Sequence, residues 1–300
     1  MRVNPNMVPD ILADLRQSQT TLNTALQQVA SGKSVTVPSD NPGASADMVQ
    51  NTIETANVDQ YTKNVSNVLS TVQTADSTLS SVVSALTQAV SLGTEGANGT
   101  NNASNQQAIA AQVQGILTSV VAQANTSYEG TYLFGGTEAT KAPYSADSTQ
   151  PSGYLYNGNT DTNSVVIGDN LSIQLNLPGS QVFTNSSNNV LESLSSLVAA
   201  LQSGNSASIS SATAGVSSAL NYVTQQRVFY GNAENMLNSQ ETYLQQETVS
   251  LSTQQNNLIG VDLAQAATTL SQAETANSAA EAAAAKILPN TLLNYLAPPQ

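Results

Sequence analysis

The stretch that decides the fold is ISSATAGVSSALNYVTQQRVFYGNAENMLNSQETYLQQETVSLSTQQNNL, residues 209–258. Ile209, Val216, Val223, Tyr230, Leu237, Leu244, Leu251 and Leu258 fall every seven residues along it, and no proline interrupts them. A seven-residue apolar repeat sustained this far predicts a long helix whose one seam is buried against other helices. At ~1.5 Å per residue such a helix runs on the order of 75 Å. That exceeds a compact domain, so the sequence reads as a rod. The other segments read as elements that cover this helix or hang from it.

A matching seam lies upstream. Val58, Val65, Val72, Leu79 and Leu86 share one heptad position, and Tyr61, Val68, Ala75, Val82 and Ala89 lie three residues on. Asn41 followed by Pro42 reads as an N-cap with proline in the first turn, so this helix is expected to start there. Gly93 is read as its stop, followed by a Gly/Asn/Thr loop from Thr94 to Asn102. A shorter helix over 104–127 carries Ile109, Val113, Ile116, Val120 and Ala124, and Asn189 to Ser203 reads as another, with Leu191, Leu194, Val198 and Leu201. The uncharged flanks of the long seam favour these intramolecular helices as its partners.

Between these helices the character changes. From Tyr128 to Phe183 the chain is rich in Gly, Asn, Asp and Tyr. Thr131–Phe134, Gly153–Tyr156, Val165–Ile167 and Leu171–Leu177 read as strands, with turns at Gly135-Gly136, Asn157-Gly158, Gly168-Asp169 and Pro178-Gly179. The tyrosines here read as the core of a small β-rich insertion.

The ends form a third region. Residues 7–31 repeat Val8, Leu15, Leu22 and Val29 at period seven, joined by Leu12 and Leu26, and Gly32 suits the position past the helix end. Residues 33–43, KSVTVPSDNPG, make a non-helical joint. Near the other end Gly260 breaks the long helix, and Asp262 with Gln265 resembles a capping box for one more. That last helix is dominated by alanine (Ala264, Ala266, Ala267, Ala273, Ala279, Ala280 and Ala282 to Ala285), with Leu263 and Leu270 among them and an apolar end of Ile287, Leu288, Leu292, Leu293 and Leu296. Alanine faces let helices approach closely at high helix propensity. The terminal seams are narrow, and an isolated helix of this kind is marginal.

Composition excludes several classes. Charged residues make up 9% of the chain, with seven Lys plus Arg and a net charge of −13. Binding to duplex nucleic acid rests on cationic neutralisation of phosphate, and to anionic membranes on basic clusters, so neither is an expected partner. There is no Cys and no His, which removes disulfides, His-based triads and Cys or His metal ligands. No apolar run reaches ~18 residues, so no membrane insertion is expected. Met1 to Leu15 lacks a basic region followed by an apolar one, so no Sec signal peptide is read there. No Trp and three Phe limit a wide globular core, which again suits thin helical bundles.

Signals for chemistry are weak. Gly135-Gly136 reads as a turn, and Asp147, Asp161 and Asp169 lack EF-hand spacing. Asn98-Gly99-Thr100 and Asn125-Thr126-Ser127 match the N-glycosylation acceptor, but such matches arise by chance in so Asn/Ser/Thr-rich a chain. Arg227, among apolar heptads, either snorkels at the surface or reaches a carboxylate on a neighbouring helix or subunit. No catalytic residue, cofactor site or metal site is read from the chain, and enzyme function is the least supported class.

Five runs carry a resemblance. SGKSVTVPSDNPGASADM (31–48) resembles the N-terminal segment of bacterial flagellins, and VDLAQAATTLSQAETANSAAEAAAAKILPNTLLNYL (261–296) resembles their C-terminal segment. YEGTYLFGGTEATKAPY (128–144), GYLYNGN (153–159) and GSQVF (179–183) are similar to the hook-associated junction branch of that superfamily rather than to filament subunits. The Ala-Pro-Pro-Gln tail beyond Leu296 departs from the many relatives that stop near that leucine.

The resemblance implies a mainly α fold: an elongated antiparallel helical bundle of flagellin type with a small β-rich insertion domain. It divides into paired terminal helices (1–43 with 262–300) that line a channel and order on assembly, a rod-like bundle (44–127 with 190–261), and an outer insertion (128–189). Leu12, Leu15, Leu22, Leu26, Val29, Leu263, Ala267, Leu270, Ile287, Leu288, Leu292, Leu293 and Leu296 would form the assembly interface. Val58, Val65, Val72, Leu79, Leu86, Val216, Val223, Tyr230, Leu237, Leu244, Leu251 and Leu258 would form the bundle seam.

The function so implied is a structural adaptor at the hook–filament junction, exported through the flagellar type III apparatus without a cleaved signal, and so extracellular. Its implied partners are other copies of itself, a hook-side junction protein, filament flagellin and an export chaperone. A filament flagellin with a short outer domain is the alternative within the superfamily. A coiled-coil surface adhesin is the alternative of another class.

Overall fold

The computed structural model describes residues 7–99, 101–138 and 140–296, with side chains from Pro9 to Lys286. The elements in order are α1 (Met7–Ser31), α2 (Pro42–Gly96), α3 (Ala103–Ala124), β1 (Ser127–Tyr128), β2 (Thr131–Tyr132), β3 (Tyr144–Ala146), β4 (Tyr154–Tyr156), β5 (Ser164–Gly168), β6 (Leu171–Gln174), α4 (Gly179–Val182), α5 (Val190–Ser203), α6 (Ser206–Ile259) and α7 (Leu263–Leu296). Among the described residues the protein is mainly α, with three small antiparallel hairpins, β1–β2, β3–β4 and β5–β6.

Local chemistry sets the helix starts. Asn41 Oδ1 accepts from the Ala44 amide at 3.1 Å, Asn102 Oδ1 from Asn105 at 2.8 Å, Asn189 Oδ1 from Glu192 at 3.0 Å and Asp262 Oδ1 from Ala264 at 2.9 Å. Each satisfies an amide that the first helical turn leaves without an intrahelical partner. Glycine ends α1 and α5: Gly32 and Gly204 sit in the left-handed region at φ +68° and +70°.

Gly93 does not stop α2, contrary to the sequence reading; the helix runs three residues further, to Gly96. Both glycines are there for packing. A Cβ on Gly93 would collide with the Thr213 side chain, and one on Gly96 with Leu201. The smallest residue lets α6 and α5 come close, and helical φ/ψ is retained.

Two compact units partition the chain: residues 1–57 with 247–300, and residues 58–246. The boundaries fall inside α2 and α6, and the β-rich segment belongs to the second unit rather than forming its own.

In the second unit α2 and α6 run antiparallel. Asp76 pairs with Arg227, and Gly93 approaches Thr213. Val58, Val65, Val68, Val72, Ala75, Leu79, Val82, Leu86 and Ala89 of α2 are buried, as are Ile209, Val216, Val223, Tyr230, Leu237 and Leu244 of α6. α3 packs closely on α5, burying Ile109, Val113, Ile116, Leu117 and Val120 against Leu191, Leu194, Leu197, Val198 and Leu201.

The β5–β6 hairpin rests on this bundle through polar contacts. Asn64 Nδ2 donates to Val166 O at 2.8 Å, and Gln240 Nε2 to Ile167 O at 3.0 Å. Strand β6 ends at Gln174, short of the expected Leu177. Beyond it Asn176 turns its amide to Asn163 N and Gly136 O, and the Leu177 amide donates to the Tyr230 hydroxyl at 3.2 Å. Burial raises the Tyr230 phenol well above its usual pKa, so it stays protonated. Phe134, Phe183, Tyr144 and Tyr156 form the small aromatic core of the β-rich part; the Phe134 and Phe183 rings meet edge-to-face at 5.2 Å.

Candidate assembly surfaces

In the first unit α1 packs along α7. The covered side of α1 carries Ile11, Leu15, Ser18, Leu22, Ala25 and Val29, a 4-3 spacing in which only Ala25 is fully buried. The covered side of α7 carries Ala266, Leu270, Ala273, Asn277, Ala280 and Ala284, with Ala266, Ala273 and Ala284 buried. The seam therefore sets half-covered leucines against alanines. Alanine permits close approach but removes little apolar surface per residue, so the pair gains little from burial.

Within this pair the sequence-predicted interface residues separate into two groups. Leu15, Leu22, Val29 and Leu270 lie on the α1–α7 seam and are half-buried. Leu12 (38% exposed), Leu26 (44%), Leu263 (58%) and Ala267 face away from it. The side chains of Val8, Ile287, Leu288, Leu292, Leu293 and Leu296 lie outside the described residues. The predicted bundle-seam residues are all buried except Leu258, which is half-buried.

The joints between these helices are paired. Lys33 and Gly260 form an antiparallel bridge; the Ser34 amide donates to Ile259 O at 2.7 Å and the Val261 amide to Gly32 O at 3.2 Å. Gln28 Nε2 reaches Ser34 O at 3.2 Å. Asp40 Oδ2 accepts from the Thr36 amide, the Thr36 hydroxyl and the Val37 amide at 3.0, 3.1 and 3.0 Å. These bonds, from the Val37 amide first, hold the Asp40 carboxyl below the usual carboxylate range. Nearby, buried Asn51 ties α2 to α6 by donating to Leu251 O at 3.0 Å and Gln254 Oε1 at 3.1 Å.

An open groove of about 450 Å³ lies beside the joint, lined by Lys33, Val35, Val37, Pro38, Met48 and Ile259 among others. Sequence reasoning passed over it, as it did the exposed apolar residues Val37, Val49, Ile53 and Val249 of the same unit. Val49 and Ile53, one helical turn apart on α2, were the available signal.

Among the described residues no group of three or more carboxylates could hold a metal ion, and no helix is long and apolar enough to cross a membrane.

The bacterial flagellin N-terminal helical region matches residues 3–139, and the bacterial flagellin C-terminal helical region matches residues 213–296. Among solved structures, the fold is similar to a putative flagellar hook-associated protein from Vibrio parahaemolyticus (TM-score 0.67, 20% identity, covering 74% of this chain and 100% of that one). It is also similar to Bacillus cereus FlgL (TM-score 0.60, 22% identity, 69% and 99%). A third match is the flagellar junction protein FlgL from Legionella pneumophila (TM-score 0.61, 14% identity, 71% and 100%). No curated protein matches the sequence.

Proposed function

The chain belongs to the bacterial flagellin family, and from that premise we propose that it is a structural adaptor of the flagellum, polymerising at the hook–filament junction between hook-side protein and filament flagellin. The observation that carries this reading is the fold match: it spans 99–100% of the lengths of the three flagellar proteins compared. The similarity of the central segment, residues 128–183, to the junction branch supports it over a filament subunit, and the flagellin segments at both ends support it over a surface adhesin.

In this reading the protein works by packing rather than by catalysis. The α1–α7 pair leaves Leu12, Leu26 and Leu263 open to water. Covering them with neighbouring copies would add the burial that the alanine-rich seam lacks, so the pair orders fully on assembly. Other copies, the hook-side protein and flagellin are the packing partners, and an export chaperone would hold the ends before assembly. Export without a cleaved signal places the protein outside the cell.

A deletion strain tests the function. Hooks should remain intact while flagellin is secreted unpolymerised; filaments of normal length on such a strain would overturn the proposal. Hydrogen exchange of the purified monomer tests the coupling: residues before about 40 and after about 262 should exchange quickly, and slow exchange at both ends would contradict ordering on assembly.

A further inference from the structure

Two asparagines sit in helix seams of the first unit, and they are used differently. Asn51 of α2 is buried, and its Nδ2 crosses to α6, donating to Leu251 O at 3.0 Å and Gln254 Oε1 at 3.1 Å. Asn277 of α7 belongs to the side that packs along α1. Its Nδ2 donates to Glu281 Oε1 at 2.8 Å, four residues on in the same helix. Its Oδ1 is shut off from water and, among the described residues, accepts no hydrogen bond. Asn51 ties two helices together; Asn277 is tied only to its own.

Glu281 sets the orientation of this side-chain amide. A carboxylate accepts hydrogen bonds and donates none, so it selects the NH2 end of the amide and leaves the carbonyl end turned into the seam. Across that seam α1 presents Ile11, Leu15, Ser18, Leu22, Ala25 and Val29. Ser18 is the one polar side chain of the six, and its hydroxyl does not donate to the Asn277 carbonyl.

The composition of the seam makes this residue matter. A buried acceptor without a donor gives up its water and gains no bond in exchange, which works against the closed pair. Beside a leucine-rich seam that loss is minor. The covered side of α7 is instead Ala266, Leu270, Ala273, Asn277, Ala280 and Ala284, and each alanine removes little apolar area from water. Alanine at 277 would continue that series; the asparagine breaks it.

We infer that Asn277, aimed inward by Glu281, is a built-in destabilising element of the α1–α7 seam that keeps the pair near the balance between open and closed in the single chain. This role rests on the reading above that the pair orders on assembly, and it adds the residue that makes the ordering conditional. With the pair poised in this way, covering Leu12, Leu26 and Leu263 with other copies decides which state prevails. An apolar residue at 277 closes the pair without them.

The test is hydrogen exchange of the full-length monomer, read by mass spectrometry on peptides of α1 and α7, in the parent and three variants. Asn277→Ala removes the stranded carbonyl and adds no large apolar group; it should slow exchange in both helices at least about fivefold. Ser278→Ala, on the exposed side one residue on, gives the effect of helix propensity alone; it should slow α7 by no more than about twofold and leave α1 as it is. Glu281→Ala frees the amide to turn its carbonyl to water, and should slow exchange in both helices beyond Ser278→Ala. Exchange in Asn277→Ala no slower than in Ser278→Ala would overturn the inference. Exchange in Glu281→Ala at the parent rate would overturn the part given to Glu281. The parent rates bear on the separate question of assembly: slow exchange there contradicts ordering on assembly, while the ratio of Asn277→Ala to parent still reports what Asn277 does.

Discussion

Arg227 on α6 grips Asp76 on α2 through two parallel hydrogen bonds, 2.9 Å from Nε to Oδ1 and 2.8 Å from Nη2 to Oδ2. The two side chains are 31% and 26% exposed, so water screens the pair in part. A fork-to-fork pair in this setting contributes about 1 kcal/mol. A double-mutant cycle with Arg227→Ala and Asp76→Asn, read by urea denaturation, should return a coupling of that size. Arg227→Lys should lose most of it, since an ammonium makes no bidentate contact. A coupling indistinguishable from zero would mean that Arg227 acts through its packing alone.

Gly93 of α2 lies against the Thr213 side chain of α6. Gly93→Ala should destabilise by about 1–3 kcal/mol, because the added methyl meets the Thr213 side chain in a packed seam. Combining it with Thr213→Ala should recover most of the loss, as the colliding atoms are removed. If Gly93→Ala instead stabilises the helix, as alanine does on an exposed face, the close approach is not maintained in solution.

This pair also marks the limit of what the sequence discloses. The caps at Asn41 and Asp262 were legible because each is a local event: one side chain and an amide two or three residues on. The α2 and α6 repeats were legible because burial repeats every seven residues. Whether Gly93 stops a helix or admits a neighbour is decided by Thr213, far along the chain, and no local signal carries that. On α1 the sequence grouped the leucines at 12 and 26 with Leu15, Leu22 and Val29 as one assembly interface and did not show which of them α7 covers. The alanine surface of α7 sits against the side that carries Ile11, Leu15, Ser18, Leu22, Ala25 and Val29, and leaves Leu12 and Leu26 outside. Strands of two or three residues, such as Ser127–Tyr128, have too few positions to show a period. The partner of Arg227 was legible only as a type, a carboxylate on another helix, because the register between α2 and α6 fixes which one.

Asp40 gives the joint a pH dependence of known sign. Its folded pKa lies below the ordinary value of 3.8 because the Val37 and Thr36 amides and the Thr36 hydroxyl donate to the carboxylate. A group of this kind contributes stability above its unfolded pKa and loses it as pH falls through the lower folded value. The Thr36 and Val37 amide resonances should therefore titrate together with a midpoint below 3.8. Asp40→Asn should remove that titration and speed exchange at both amides. A midpoint at or above the ordinary value would mean the three bonds are not held in solution.

Leu244 tests the α6 seam where it is buried in the second unit, 2% exposed. Leu244→Ala should cost about 2–5 kcal/mol, the range for removing a buried leucine side chain and leaving part of a cavity. Leu244→Glu should be worse, because it adds an uncompensated charge to the same apolar site. Tyr230→Phe, two heptads earlier, keeps the ring but removes the acceptor of the Leu177 amide. It should cost about 1–3 kcal/mol for that stranded donor. Its effect should concentrate in the β-rich segment, read as faster exchange at Leu177 with the α6 amides unchanged. A uniform loss of protection along α6 in Tyr230→Phe would show that the hydroxyl supports the helix seam rather than the attachment of the hairpins.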